Sequence, residues 1–171
     1  GPLIHAEAAA GMLAAQQRLL DAGGRAIVPM RADERSAALV SPGLVVADRA
    51  DMIDDCEHFG PLLIATRGDS LEHAIELANA TRFGLSAGFI GDRVDDFHYF
   101  IHRIRAGVVN WNRQTTGASG KLPFGGIGAS GNHHPSGYFA ADYCSYPIAS
   151  LESHELAEAK KALPGLKFYV D

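Results

Sequence analysis

Apolar residues recur at helical spacing over residues 4–20, where Ala8, Met12, Ala15 and Leu19 form one stripe. Gly23-Gly24 follows as a stop signal. The pattern then shortens to extended runs at 25–30 and 37–47, the second broken at Pro42-Gly43, and at 62–66. Helical spacing returns after Asp69, a capping residue with Glu72 three positions on as its reciprocal partner. Leu71, Ala74, Ile75 and Ala78 make the apolar face of that helix. Residues 85–90 read as a strand of small side chains. Asp92 opens a third helix carrying Val94, Phe97, Ile101 and Ile104. Arg103 and Arg105 fall in its last turn, where cations suit the dipole, and Gly107 ends it. Residues 108–110 read as the next strand.

Strand, helix, strand, helix, strand in succession predicts right-handed βαβ units, a parallel sheet and an α/β fold. Ligands in such sheets collect beyond the carboxyl ends of the strands. The Gly-rich stretch 110–136 falls at such an end, and its length and its Trp and Phe content suit a functional loop. Residues 138–144 read as a helical turn and 143–151 as a strand. No single period describes 152–171. The expected organisation is one domain over 1–151 with a tail at 152–171.

A chain of 171 residues can bury roughly 70% of its unfolded surface, so a core needs no staples. Hydrophobic content of 47% and charged content of 20% are ordinary for a globular protein. A net charge of −5 without a basic block argues against nucleic acid as a partner. No apolar run approaches ~18 residues, which argues against a membrane span. No signal peptide is recognisable at Gly1-Pro2, and a cytoplasmic location is expected. Cys56 and Cys144 are too few for a disulfide framework and read as free, buried thiols.

Several stretches can carry chemistry, each with a plainer alternative. In Glu57-His58-Phe59-Gly60-Pro61, a carboxylate at a strand entrance can accept both hydroxyls of a ribose while an aromatic packs on a flat ring. The same five residues suit an exposed Glu beside a core Phe, and spacing alone favours that. Asn110-Trp111-Asn112 can present an amide to a substrate oxygen or tie down the loop; spacing leans to the tie. Thr115-Thr116-Gly117-Ala118-Ser119-Gly120 can form a nest of backbone N–H groups for a carboxylate, or serve as a flexible connector. Phe124-Gly125-Gly126 allows close backbone approach to a ligand, or is a core Phe at a turn. Adjacent His133 and His134 point apart on most backbones and have no Asp, Glu or Cys at ligand spacing, so no metal site is read. Cys144, between Tyr143 and Tyr146, reads as a packed core thiol, although His133 or His134 leaves a cysteine-dependent activity open. Asp54 and Asp55 beside Cys56 disfavour a thiolate there.

Taken together, Glu-x-Phe-Gly-Pro at 57–61, Gly-Leu-Ser-Ala-Gly at 84–88, Gly-Val-Val-Asn-x-Asn at 107–112 and Pro-Phe-Gly-Gly at 123–126 resemble the C-terminal portion of NAD(P)-dependent aldehyde dehydrogenases. Residues 127–152, above all 140–146, are similar to the N-succinylglutamate 5-semialdehyde dehydrogenases of arginine catabolism. The resemblance implies a fragment of that family's catalytic domain. It implies NAD as cofactor and a small aldehyde as substrate. Glu57 would hold the nicotinamide ribose and Phe59 would pack near the nicotinamide. Asn112 and Phe124 would line the substrate end. Thr116, Gly117, Ala118 and Ser119 would take the substrate's α-carboxylate, with Arg113 and Lys121 as nearby cations. The family's cysteine nucleophile motif, general base and dinucleotide domain have no counterpart here, so no catalytic residue is assigned and the isolated chain is expected to be inactive. A fragment of a glutamate-semialdehyde (pyrroline-5-carboxylate) dehydrogenase remains an alternative. So does a non-catalytic piece that assembles, homo-oligomers included, through strand pairing.

Overall fold

A computed structural model describes residues 1–117 and 119–155. Ala118 and the tail from residue 156 onward lie outside the described residues, and with them most of the predicted tail.

The first helix, α1 (Ala6–Asp21), forms where the apolar stripe predicts it, capped by the His5 ring accepting from the Ala8 N–H at 3.0 Å. Its inward face is Ala9, Met12, Ala15, Gln16 and Leu19. That face lies on a sheet made of β1 (Arg25–Val28), β4 (Gly43–Val46) and β5 (Leu62–Ala65), in the order β1-β4-β5. β1 runs antiparallel to β4, and β5 parallel to it. Met30 and Val40 pack with Ala9 and Met12, and Val45, at the sheet centre, and Ala47 are fully buried. Gln16 is the polar residue in it. Its amide donates to the Met30 carbonyl at 3.1 Å and accepts from the Met30 N–H, so the chain leaving β1 has both backbone groups satisfied inside an apolar setting. A small hairpin, β2 (Ala32–Asp33) with β3 (Ser36–Val40), follows; β2 is too short for the hydrophobic pattern to predict.

The second sheet pairs β6 (Ser86–Phe89) with β7 (Val108–Trp111) in parallel, joined by α3 (Val94–Ile101). Phe97 of α3 stacks on Trp111 at 4.7 Å, and Phe89 packs on Phe100 at 5.5 Å. Beyond β7, a short ladder of β8 (Pro123–Phe124) and β9 (Ser136–Gly137) brackets a 3-10 turn at Gly128–Ser130, and α4 (Ala140–Tyr143) is the last helix among the described residues. Among the described residues no helix is long and apolar enough to cross a membrane.

This is the expected α/β class, with five local corrections. The sheet is not continuous: α2 (Leu71–Asn79) joins β5 to β6, yet these strands do not pair and belong to separate sheets. Ser70, not Asp69, caps α2, because its hydroxyl sits 3.2 Å from the His73 N–H; Ile75 is the buried member of the helix while Ala74 and Ala78 face outward. α3 starts after Arg93 and stops at Ile101, short of the two arginines. Arg103 lies over the Tyr99 ring instead, 3.7 Å from its centroid. Residues 143–151 form no strand and pair with none among the described residues, and Ile148 is 85% exposed. Both cysteines are exposed, which overturns the buried-thiol reading.

Candidate active-site wall

Three concavities with shared walls run around β6 and β7. The largest, about 730 Å³, is lined by Glu57, Thr81, the backbone from Phe83 to Gly88, and Arg105. Leu85 and Ser130 also border a smaller one of about 260 Å³ under Phe124, Gly125 and Gly126. Phe124 in turn borders a third of about 290 Å³, lined by Asn110, Arg113, Thr116, Gly117 and Ser119. Arg113 is the one charged side chain around that third cavity among the described residues.

The predicted residues therefore fall into two groups. Glu57 stands at the first cavity, on the exposed segment before β5, and no described residue donates a hydrogen bond to its carboxylate. Phe59, two positions on, is 78% exposed. Thr116, Gly117, Ser119 and Phe124 meet around the third cavity; Ala118, the remaining member of the predicted nest, lies outside the described residues. Asn112 lines neither. Its backbone adopts φ +50°, and its side chain ties the loop, accepting from the Gly91 N–H at 2.9 Å and donating to the Gly91 carbonyl at 2.8 Å. One N–H and one lone pair of that amide remain for another partner.

The two glycines after Phe124 permit close approach, but to the protein's own backbone. A Cβ on Gly107, at the start of β7, would stand 1.7 Å from the Gly125 carbonyl oxygen. The start of β7 and the 123–126 loop are thus pressed together, and the Gly107 N–H bonds to Gly84 at 3.1 Å. Gly107→Ala is expected to lower unfolding free energy by about 1–3 kcal/mol, because the loop must move. Gly11→Ala, on the open face of α1, should gain up to about 1 kcal/mol. Denaturant unfolding of both variants checks this; equal stabilities would mean the loop yields freely.

Sequence reasoning missed the groups that hold the Glu57 segment. The Asp54 carboxylate lies 3.1 Å from His58 Nε2 and 3.5 Å from the Arg18 guanidinium on α1. Asp55 accepts from the Thr81 hydroxyl and, at 2.9 Å, from the Arg82 N–H. The His58 hydrogen bond, aided by the charges of His58 and Arg18, holds Asp54 below its ordinary pKa. The Thr81 bond, then the Arg82 amide, does the same for Asp55. Their stabilising contribution is complete above the ordinary Asp range near ~3.9 and is lost as pH falls through the lowered folded values. Thr81 is 26 positions from Asp55, so no local spacing announces the pair.

Among the described residues no three His, Cys, Asp or Glu side chains are placed to hold a metal ion. Among the described residues the exposed cysteines have no activating partner; the Cys56 thiol donates only to the Glu57 carbonyl, at 3.9 Å.

A groove beside a βαβ sheet, with Glu57 at its rim, is the setting in which α/β folds hold small molecules. The chain belongs to the aldehyde dehydrogenase family, whose sequence model matches residues 1–147. Its fold is that of salicylaldehyde dehydrogenase from Pseudomonas putida G7, at 21% identity and a TM-score of 0.81, over 93% of this chain and 33% of that one. It is also similar to an NAD-dependent aldehyde dehydrogenase from Sinorhizobium meliloti, at 28% identity and a TM-score of 0.74, over 83% of this chain and 28% of that one. Succinic semialdehyde dehydrogenase from Streptococcus pyogenes, solved with NADP+ as the cofactor, shares 26% identity at a TM-score of 0.72, over 81% of this chain and 30% of that one. The chain spans about a third of the length of these structures.

Proposed function

We propose that this chain forms one wall of the active site of an NAD-dependent aldehyde dehydrogenase that oxidises N-succinylglutamate 5-semialdehyde to N-succinylglutamate in arginine catabolism. The reading places residues 1–151 in the catalytic domain and 152–171 in a tail, in a cytoplasmic enzyme. The observation that carries it is the unengaged Glu57 carboxylate at the rim of the β6 groove, in the family's Glu-x-Phe-Gly-Pro context.

A nicotinamide dinucleotide fits these residues. The groove is roomy, and Glu57 has acceptor capacity for a ribose diol that no described protein donor uses. When bound, the cofactor supplies the hydride acceptor. Everything else on this wall is positioning. Glu57 fixes the ribose, and Phe59, exposed and two residues away, packs near the ring. Phe124 borders the aldehyde end, and Asn112 steadies the loop beside it through Gly91. The amides of residues 116–119 hold the substrate carboxylate, helped by the Thr116 and Ser119 hydroxyls and the Arg113 charge. That an anionic substrate is drawn here is supported by the positive charge and the absence of any acidic side chain around the third cavity among the described residues.

Glu57→Gln, made in the active enzyme that contains this chain, is expected to slow single-turnover hydride transfer by about 1.5–3 kcal/mol of barrier, the value of a charge-assisted hydrogen bond. Stopped-flow NADH formation checks it. An unchanged rate would remove Glu57 from the cofactor site.

A further inference from the structure

The segment that presents Glu57 has little else to hold it. Residues 54–57 are all exposed, so apolar burial does not anchor them. No backbone N–H from Asp54 through Phe59 finds a protein acceptor among the described residues. What remains is side-chain ties, and they run to two different parts of the fold. Asp54 binds backward to Arg18 on α1 and forward to His58. Asp55 binds the turn between α2 and β6 through Thr81 and Arg82. The Thr81 hydroxyl also accepts from the Phe83 N–H at 3.2 Å, so its own proton is directed at Asp55. Thr81 and Phe83 are themselves walls of the groove that Glu57 borders.

We infer that Asp54 and Asp55 are positioning residues for Glu57, fastening its segment to the first sheet's helix on one side and to the groove wall on the other. The inference rests on the reading of Glu57 as the ribose ligand. Both oxygens of Asp55 face donors, a hydroxyl and an amide, so a carboxylate serves both as acceptor. An Asn would turn an NH₂ toward one of them. Both carboxylates also sit below their ordinary pKa, as expected of groups held by donors in the folded state.

The test is a coupled series in the active enzyme containing this chain: Asp55→Asn, Glu57→Gln and the double variant, read by single-turnover hydride transfer and by the aldehyde KM. Asp55→Asn is expected to slow hydride transfer roughly tenfold while leaving the aldehyde KM unchanged. The double variant should be no slower than Glu57→Gln alone, because Asp55 acts only through Glu57. Multiplying losses would overturn the inference, since they would mark Asp55 as a general structural support. So would a normal rate in Asp55→Asn when Glu57→Gln is slow. A normal rate in Glu57→Gln would instead remove the ribose reading, and the inference with it. If Asp55→Asn does not fold, Thr81→Val replaces it; this change keeps the carboxylate and its Arg82 bond, and the same outcomes apply.

Discussion

Purified by itself, the 171-residue chain is expected to form no NADH from N-succinylglutamate 5-semialdehyde and NAD. The family's chemistry starts with a thiolate, and neither cysteine here is set up as one, since no described base bonds to either. Loss of a nucleophile from a covalent mechanism costs on the order of 10⁶-fold in kcat. The measurement is absorbance of NADH with the wild-type chain and with Cys56→Ser and Cys144→Ser. Turnover that disappears in Cys144→Ser would sink the expectation and make that thiol the nucleophile. Turnover indifferent to both substitutions would point to a mechanism without cysteine.

Gly117→Pro, in the active enzyme, is expected to cost roughly 100-fold in kcat/KM for the carboxylated aldehyde, equivalent to about 2–3 kcal/mol of lost amide-to-carboxylate bonding. Gly117 has φ +95°, a conformation proline cannot adopt, and proline also removes the N–H that a nest needs. Chain neighbours aside, no described atom lies within 4 Å of a Cβ placed on Gly117, so the effect would come from backbone geometry and not from a clash. An uncharged aliphatic aldehyde serves as the control and should lose far less. Equal losses on both substrates would indicate general damage. No loss on either would reduce the 115–120 stretch to a connector.

Much of this fold is legible along the chain. The α1 stripe, the break at Pro42-Gly43 and the strands at β5, β6 and β7 follow from side-chain period and turn residues, which act over a few positions. The family is legible too, because its motifs are short and contiguous and match over residues 1–147. The cap of α2 falls one position beyond the expected Asp69 because Asp69 and Ser70 are both good caps, and only helix geometry selects the hydroxyl that reaches His73.

Partners distant in sequence were decided by tertiary structure alone. Nothing in the β5–α2–β6 succession says that the two strands belong to different sheets, since hydrogen-bond pairing is a choice among all available edges. The close approach of Gly107 to the Gly125 carbonyl and the ties from Asp54 and Asp55 are of the same kind. In sequence Asp54 and Asp55 are two solvated acids beside a cysteine. In the folded chain they meet Arg18, His58, Thr81 and Arg82, because packing brings α1 and the α2–β6 turn to either side of one short segment. Period and motif are local properties of a chain, whereas the partner of an exposed carboxylate depends on where the rest of the chain has gone.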